Sequence, residues 1–296
     1  MRIVLFIFYL LPINLLAAES TIITSIRPLQ SIIANLTKYT DNNIELIIDH
    51  NESLHNYHLK PTKIRELHNS KLVIIVDRNF EVFLNKILDN LDHKKQQVIE
   101  VAKFPGLKLQ KNVDLHHHHH HHHVNSDDYH LWLDIDIIKI ISEELVKLLS
   151  EQNPIHKKQY QKNLTAFISK LDDLDQRIKS KIIVAQGQDF IVTHNAYQYF
   201  INRYDLNNPK SITIDHDHNI GAKSFLELQH SIKENKVKCI FEEPQFESQI
   251  MHKLKQDSQV KIGKLDAEWG PNDMPIEDAY FAIMDGLTDD FVQCLK

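Results

Sequence analysis

Short apolar runs alternate with helical patterns in both halves of the chain, and one long helical pattern separates the halves. A run such as Lys71–Val76 is apolar on both faces, which is typical of a parallel strand covered by helices on both sides. The segment Pro154–Ile183 has no glycine and no internal proline, and its apolar spacing predicts one helix of about 30 residues. The pattern therefore predicts an α/β protein with two βα lobes, parallel-type sheets and one long connecting helix.

The predicted elements divide the chain into segments. In the first half, strands are predicted at 21–26, 43–48, 71–76 and 97–101, and helices at 28–38, 61–68, 79–91 and 134–150. In the second half, strands are predicted at 189–193, 210–214, 238–241 and 260–265, and helices at 196–204, 223–235, 246–257 and 277–295. The resulting domains are an N-terminal lobe at 19–150 with a histidine-rich loop at 112–128, a connecting helix at 151–184 and a C-terminal lobe at 185–296.

The first residues have the pattern of an export signal. Arg2 supplies a positive charge, Ile3–Leu11 is apolar, and Leu16–Ala18 contains small residues. The apolar run is shorter than the roughly 20 residues that span a bilayer. We expect residues 1–18 to be a signal peptide cleaved near Ala18, which places the protein in the periplasm with no membrane span. No cysteine follows the run, so a lipid anchor is not expected.

The two cysteines of the chain are Cys239 and Cys294. In an exported protein an even pair is expected to oxidise to a disulfide. Two buried thiols and a pair of metal ligands are the alternatives, and we favour the disulfide.

Charge and glycine content exclude two classes of ligand. The formal net charge is −6, and no basic stripe is available for nucleic acid. The six glycines form neither a GxGxxG motif nor a P-loop, so nucleotide binding has no support.

Four polar residues lie where an open parallel sheet binds its ligands, past the carboxyl ends of strands. His55 follows the second predicted strand, His194 and Asp266 each follow a strand of the second half, and His130 ends the long loop. A single loop histidine is more often solvated than metal-bound, and Asp266 is as readily a helix cap as a ligand. Together, three imidazoles and one carboxylate suit tetrahedral zinc, whereas manganese draws more oxygen ligands.

Other histidines are weaker candidates. His58 lies close to His55 in the sequence. His216 and His218 alternate with aspartates, and they form either an auxiliary metal site or a polar turn.

Eight consecutive histidines lie inside the long loop, with Asp114, Asp127 and Asp128 nearby. Such a run cannot share one face of a regular element, so we expect a flexible tract that binds divalent metal weakly. The acidic neighbours add local attraction for cations. An engineered purification tag is the alternative, although tags usually sit at a terminus. The run consists of His116, His117, His118, His119, His120, His121, His122 and His123.

Taken in order, these motifs resemble those of a known family, the ZnuA-like zinc-binding components of bacterial ABC importers. The resemblance covers nearly the whole mature chain, and the ordered set is far more specific than any single motif. It is carried by His55–Thr62, the histidine-rich loop, His130–Leu133, Thr193–Tyr197, Phe241–Phe246 and Leu265–Asp266.

The resemblance implies that His55, His130 and His194 are the zinc ligands. Manganese-binding relatives tend to carry glutamate at the third position, where this chain has His194. Some members also place a glutamate directly before the first histidine, and this chain has Leu54 there. The fourth ligand is therefore expected to be Asp266 or water, with Asp266 preferred. The cysteine pair also matches a disulfide of zinc-binding members.

These observations predict a monomeric, high-affinity zinc-binding protein that delivers Zn²⁺, as transported ligand, to an inner-membrane ABC permease. A manganese or iron carrier is the first alternative. A zinc hydrolase is the second, but the chain has no H-E-x-x-H motif. Glu242 and Glu243 follow a strand and could serve as a base, although the Glu-Pro step is more typical of a structural turn. We therefore predict that the protein is not an enzyme.

Overall fold

The computed structural model describes residues 20–48, 52, 57–112, 127–215, 218–219, 222–234, 236–245, 254 and 260–296. The predicted export signal, the histidine run and the predicted helix at 246–257, apart from Leu254, lie outside these ranges. Within the described ranges, no helix is long and apolar enough to cross a membrane.

The N-terminal lobe contains a four-stranded parallel sheet. Its strands are β1 Ser20–Thr24, β2 Asn42–Leu46, β3 Leu72–Ile75 and β4 Gln97–Glu100. They lie side by side in the order β2-β1-β3-β4. Every residue of β3 is buried, as expected for a central strand that is apolar on both faces.

The C-terminal lobe repeats this sheet. Its strands are β5 Asp189–Val192, β6 Lys210–Ser211, β7 Thr213–Asp215, β8 His218–Asn219, β9 Val237–Glu242 and β10 Lys261–Lys264. The parallel sheet has the order β6-β5-β9-β10, while β7 and β8 form a separate antiparallel pair. In each lobe the strand order reverses between the first and third strands of the sheet. Ligand sites of open α/β sheets lie at the carboxyl edge of this position.

The helices cover the sheets and connect the lobes. They are α1 Arg27–Leu36, α2 Pro61–Asn69, α3 Asn85–Leu88, α4 Ile135–Gln152, α5 Lys157–Ile182, α6 Gln198–Tyr204, α7 Ala222–Lys233 and α8 Ala279–Leu295. Single 3₁₀ turns extend α5 at both ends, at Pro154–His156 and Ile183–Ala185. The predicted α/β fold with a long connecting helix is therefore confirmed.

One apolar core runs through both lobes. Ile22 and Val73 of the first sheet belong to the same buried cluster as Phe190 and Phe241 of the second. Helix α1 is buried along its whole length and packs against α5 and α8. Residues that alternate with the core-facing ones, such as Ile191, form a smaller cluster on the opposite face of the second sheet.

A disulfide links β9 to the end of α8, as the cysteine count predicts. Cys239 and Cys294 have Cα atoms 5.8 Å apart, and both residues are buried. Gly263 on the neighbouring strand leaves room for this link, because a Cβ there would lie 2.6 Å from Phe241 and 3.1 Å from the Cys294 sulfur. The loop of 55 residues that the disulfide closes corresponds to about 4 kcal/mol in a chain-entropy model.

The predicted helix at 79–91 is wrong in extent. Only Asn85–Leu88 is α-helical, after a 3₁₀ turn at Val82–Leu84. The apolar spacing of the segment is helical, but the residues before Val82 are held in a loop.

Glu81 holds that loop from inside. Its carboxylate accepts hydrogen bonds from the backbone N–H groups of Val76 and Asp77, 2.9 Å away, and from the Ser25 hydroxyl. Glu81 is fully buried, and burial raises its pKa to about 7. These bonds fix Glu81 against the residues that follow β3, and apolar periodicity gives no sign of such a contact.

The predicted strand at 210–214 is divided between two sheets. Lys210–Ser211 pairs with β5, and Thr213–Asp215 belongs to the separate antiparallel pair. Ile212 stands between them and is buried, so one apolar run serves both pieces.

Candidate metal centre

Two histidines from different lobes lie next to each other. His130 ends the long loop of the N-terminal lobe, and His194 lies two residues past β5. Their ring centroids are 5.4 Å apart, and the residues are only 8% and 5% exposed. Two imidazoles that share a tetrahedral zinc through Nε2 would have centroids about 5 Å apart, given Zn–N distances near 2.0–2.1 Å. The spacing of the pair therefore suits a shared zinc ion.

Asp128 holds His130 in place. One carboxylate oxygen of Asp128 lies 2.8 Å from His130 Nδ1 and also accepts the His130 backbone N–H at 2.9 Å. Asp128 is itself buried, and its carbonyl accepts a hydrogen bond from the Tyr199 hydroxyl. A short Asp-Tyr-His turn thereby fixes both the backbone and the ring of the histidine.

Glu243 holds His194 in the same way from a neighbouring strand. Its two carboxylate oxygens lie 2.7 and 2.8 Å from His194 Nδ1, and one of them accepts a hydrogen bond from the Tyr197 hydroxyl. Burial, followed by the negative charge of Glu243, raises the pKa of Tyr197 well above its ordinary value. Tyr197 therefore stays protonated and keeps donating to Glu243.

The two carboxylates determine which ring nitrogen is available to a metal. A carboxylate bound at Nδ1 favours the tautomer that carries its hydrogen there, so the lone pair lies on Nε2. The Nε2 atoms of both His130 and His194 are buried. Carboxylate, imidazole and metal in this order form an arrangement that orients histidine ligands and raises their basicity.

Aromatic rings enclose the histidine pair on the N-terminal side. Phe80 meets His130 edge-on at 5.3 Å between centroids, and Trp132 lies 5.3 Å from the same ring. An apolar wall of this kind limits water and strengthens charge interactions at the site.

Asp266 lies two residues past β10, and its carboxylate caps its own loop. The backbone N–H groups of Glu268, Trp269 and Gly270 donate to it at 2.9–3.1 Å, and the Gln245 amide donates at 3.2 Å. Gly270 has a φ of +60°, a conformation that favours glycine. From the sequence Asp266 is either a cap or a ligand, and in this structure its carboxylate caps the loop.

Comparison with known proteins supports a metal-related role. Residues 22–294 match the family model ZnuA, described as zinc-uptake complex component A, periplasmic. The chain belongs to the ZnuA family. It is 31% identical over 295 residues to the high-affinity zinc uptake system protein ZnuA of Haemophilus ducreyi, with 94% of each chain covered.

Solved structures share the fold of this ZnuA-family chain. A ZnuA crystal structure matches with a TM-score of 0.80 at 20% identity, covering 94% of this chain and all of the other. The binding protein FpvC of Pseudomonas aeruginosa, solved with Mn²⁺, matches with a TM-score of 0.77 at 17% identity, covering 94% and 99%. At these identities the likeness concerns the fold alone.

The other candidate residues of this ZnuA-family protein are less fully described. His55 lies outside the described residues, between Glu52 and Tyr57. The described part of the chain contains no group of three or more histidine, cysteine, aspartate or glutamate side chains arranged for a metal. The structure therefore brings together His130 and His194, and the roles of His55 and Asp266 stay predictions.

Most of the weaker candidates have no described side chain. His58 is exposed and lies three residues before α2. The histidine run and His216 lie outside the described residues, and His218 is described only by its backbone in β8.

Asp128 and Glu243 are not predicted as site residues from the sequence. There, Asp128 is expected only to attract cations, and Glu243 is expected to belong to a structural turn. The local signal for Asp128 is its position two residues before His130. Glu243 has no such local signal, because its contact with His194 depends on the pairing of β5 with β9.

Proposed function

We propose that this protein is a high-affinity zinc-binding protein that captures Zn²⁺ in the periplasm and delivers it to an inner-membrane ABC permease. The observation that carries the proposal is the pair His130 and His194, one from each lobe, each with a carboxylate at Nδ1. Zinc is the cargo, and membership of a zinc-uptake family supports this choice.

The proposed ligand set is His130, His194 and His55, with Asp266 or water in fourth position. Three nitrogen ligands favour zinc over manganese, which prefers oxygen. A manganese or iron cargo is the alternative, because FpvC has the same fold and was solved with Mn²⁺. The proposal includes capture without catalysis, since Asp266 would fill the position that a hydrolase needs for water.

The remaining proposals concern processing and assembly. Residues 1–18 would be removed as a signal peptide near Ala18, leaving a monomer in the periplasm. The histidine run at 116–123 would collect zinc weakly near the cleft, and His216 with His218 would form at most an auxiliary site.

Calorimetric zinc titration of the protein without residues 1–18 tests the proposal. The wild type is expected to show one tight site, and His194→Ala is expected to lose it while weak sites persist. His93→Ala is the control, because His93 is exposed and belongs to the turn before β4 of the N-terminal sheet. Unchanged tight binding in His194→Ala would assign the ion elsewhere, to Asp215–His218 or to the histidine run. Tighter binding of Mn²⁺ than of Zn²⁺ would support the alternative cargo.

A further inference from the structure

The segment Leu265–Asn272, here called the Asp266 loop, contacts both lobes. It follows β10 of the C-terminal lobe, yet several of its hydrogen-bond partners belong to the N-terminal lobe. These contacts concern residues to which the sequence analysis gave no function.

On one side, the loop accepts hydrogen bonds from residues that lie close to His130 and His194 in the chain. The Trp132 indole donates from Nε1 to the Ala267 carbonyl at 2.8 Å, and the Tyr197 hydroxyl donates to the Leu265 carbonyl at 3.3 Å. Trp132 lies two residues past His130, while Tyr197 shares Glu243 with His194. The two carbonyls that flank Asp266 thus connect with both histidine-bearing segments.

On the other side, the loop is tied to the start of the N-terminal lobe. The Trp269 indole donates to the Glu52 carbonyl at 3.2 Å. The Arg27 guanidinium donates to the Pro271 carbonyl at 2.7 Å and to the Asn272 side-chain oxygen at 3.3 Å. Arg27 begins α1, a fully buried helix, so this tie is anchored in the core of the N-terminal lobe.

The Arg27 guanidinium and the Asp266 carboxylate also attract each other through their opposite charges. Arg27 and Trp269 are 8% and 3% exposed, so their contacts with the loop are shielded from water. Burial lowers the pKa of Arg27, and the nearby Asp266 carboxylate partly offsets this effect. The guanidinium therefore balances the charge of Asp266 from across the lobes without touching either histidine in any described contact.

We propose that Arg27 and Trp269 are positioning residues of the cargo site, which hold the Asp266 loop across the two lobes and so slow the release of the metal. An ion that recruits Asp266 must exchange the carboxylate's four loop and glutamine hydrogen bonds for metal contact, and the loop must shift as a unit. The hydrogen bonds that Arg27 and Trp269 make across the lobes limit this movement of the loop to the space between the lobes. This inference rests on the proposed function for its cargo.

The chain has two tryptophans, and both report on the Asp266 loop. Trp132 donates a hydrogen bond to the loop, and Trp269 is part of it. The full mature protein is labelled with 5-fluorotryptophan, and Trp269→Phe assigns its two fluorine resonances. One equivalent of zinc is expected to shift the Trp269 resonance. Zinc release into excess chelator is expected to be about tenfold faster in Arg27→Gln and in Trp269→Phe, with little change in the association rate, since most affinity differences lie in dissociation.

Two variants separate positioning from general stability. Arg27→Lys keeps a charge and a donor and is expected to restore part of the slow release. Arg65→Gln is the control, because Arg65 is exposed on α2. If calorimetry finds the tight site but zinc leaves the Trp269 resonance unmoved and Arg27→Gln releases zinc at the wild-type rate, the inference is wrong. If calorimetry finds no tight site in the wild type, the proposed function itself fails.

Discussion

The two lobes have the same strand order but different residues at the same structural positions. The last residue of β1 pairs with Ile74, and the last residue of β5 pairs with Phe241. Two residues past these pairs, the N-terminal lobe has Ile26 and Val76, both buried, where the C-terminal lobe has His194 and Glu243. A carboxylate–histidine pair thus occupies in one lobe the place of two aliphatic side chains in the other.

Each lobe nevertheless has a carboxylate near this edge that binds its neighbours. In the N-terminal lobe Glu81 binds backbone N–H groups and the Ser25 hydroxyl, which closes a loop. In the C-terminal lobe Glu243 binds a histidine ring. The comparison teaches that a repeated sheet supplies equivalent positions, while individual side chains decide which of them hold a ligand.

The largest expected effect comes from removing one histidine per lobe. His130→Ala and His194→Ala should each weaken zinc binding by more than about 100-fold, because losing a ligand exceeds the 10–100-fold effect of losing an outer partner. Competition with a chromophoric chelator measures both. Near-normal affinity in either variant would mean that a single lobe holds the ion and that the lobes do not share it.

A smaller loss is expected from the carboxylate behind the histidine. Glu243→Gln should weaken zinc binding by about 10–100-fold, because a neutral amide orients and polarises His194 less effectively. Glu243→Asp should recover part of the loss. Glu227→Gln, on the exposed face of α7, is the matched control. Equal affinities for Glu243→Gln and the control would reduce Glu243 to a structural residue.

The Glu81 carboxyl group should make the free energy of unfolding depend on pH. Its pKa is raised from 4.5 to about 7, so the stability linked to its proton is fully present below pH 4.5 and is lost as the pH rises through 7. The effect amounts to at most about 3 kcal/mol over that window. Urea unfolding at several pH values should show this slope in the wild type and not in Glu81→Gln. An identical slope in both proteins would show that Glu81 does not titrate in this range.

The smallest expected effect on the tight site comes from the histidine run. Deleting residues 115–124 should leave tight zinc affinity unchanged and remove several weak sites, because the proposed ligands lie elsewhere. Calorimetry at excess zinc counts the tight site and the weak sites. Loss of the tight site would contradict the separation of roles between the run and the histidine pair.

The sequence predicts the fold well because its signals are local. Apolar runs between helical patterns place all eight strands of the two parallel sheets, and the long pattern after Pro154 predicts α5. The disulfide follows from an even pair of cysteines in a chain that the sequence predicts to be exported. The helix predicted at 79–91 is shorter in the structure because Glu81 lies in a loop, where its carboxylate binds the backbone N–H groups of Val76 and Asp77.

The site is only partly predictable for the same reason. His130 and His194 stand out because strand ends and loop ends are visible in the sequence. Glu243 does not, since it lies 49 residues from His194 in the chain and reaches it only through the pairing of β9 with β5. The contacts of Asp266 with its own loop likewise depend on a turn at Gly270 that composition alone does not define.

The most direct test of the central claim is the position of the ion. Crystals of the zinc-loaded mature protein, measured on both sides of the zinc absorption edge, would locate the metal by anomalous scattering. The account predicts one strong peak between the lobes, about 2 Å from Nε2 of both His130 and His194. A single strong peak at the 215–218 turn or at the histidine run, with no peak between these two rings, would contradict it.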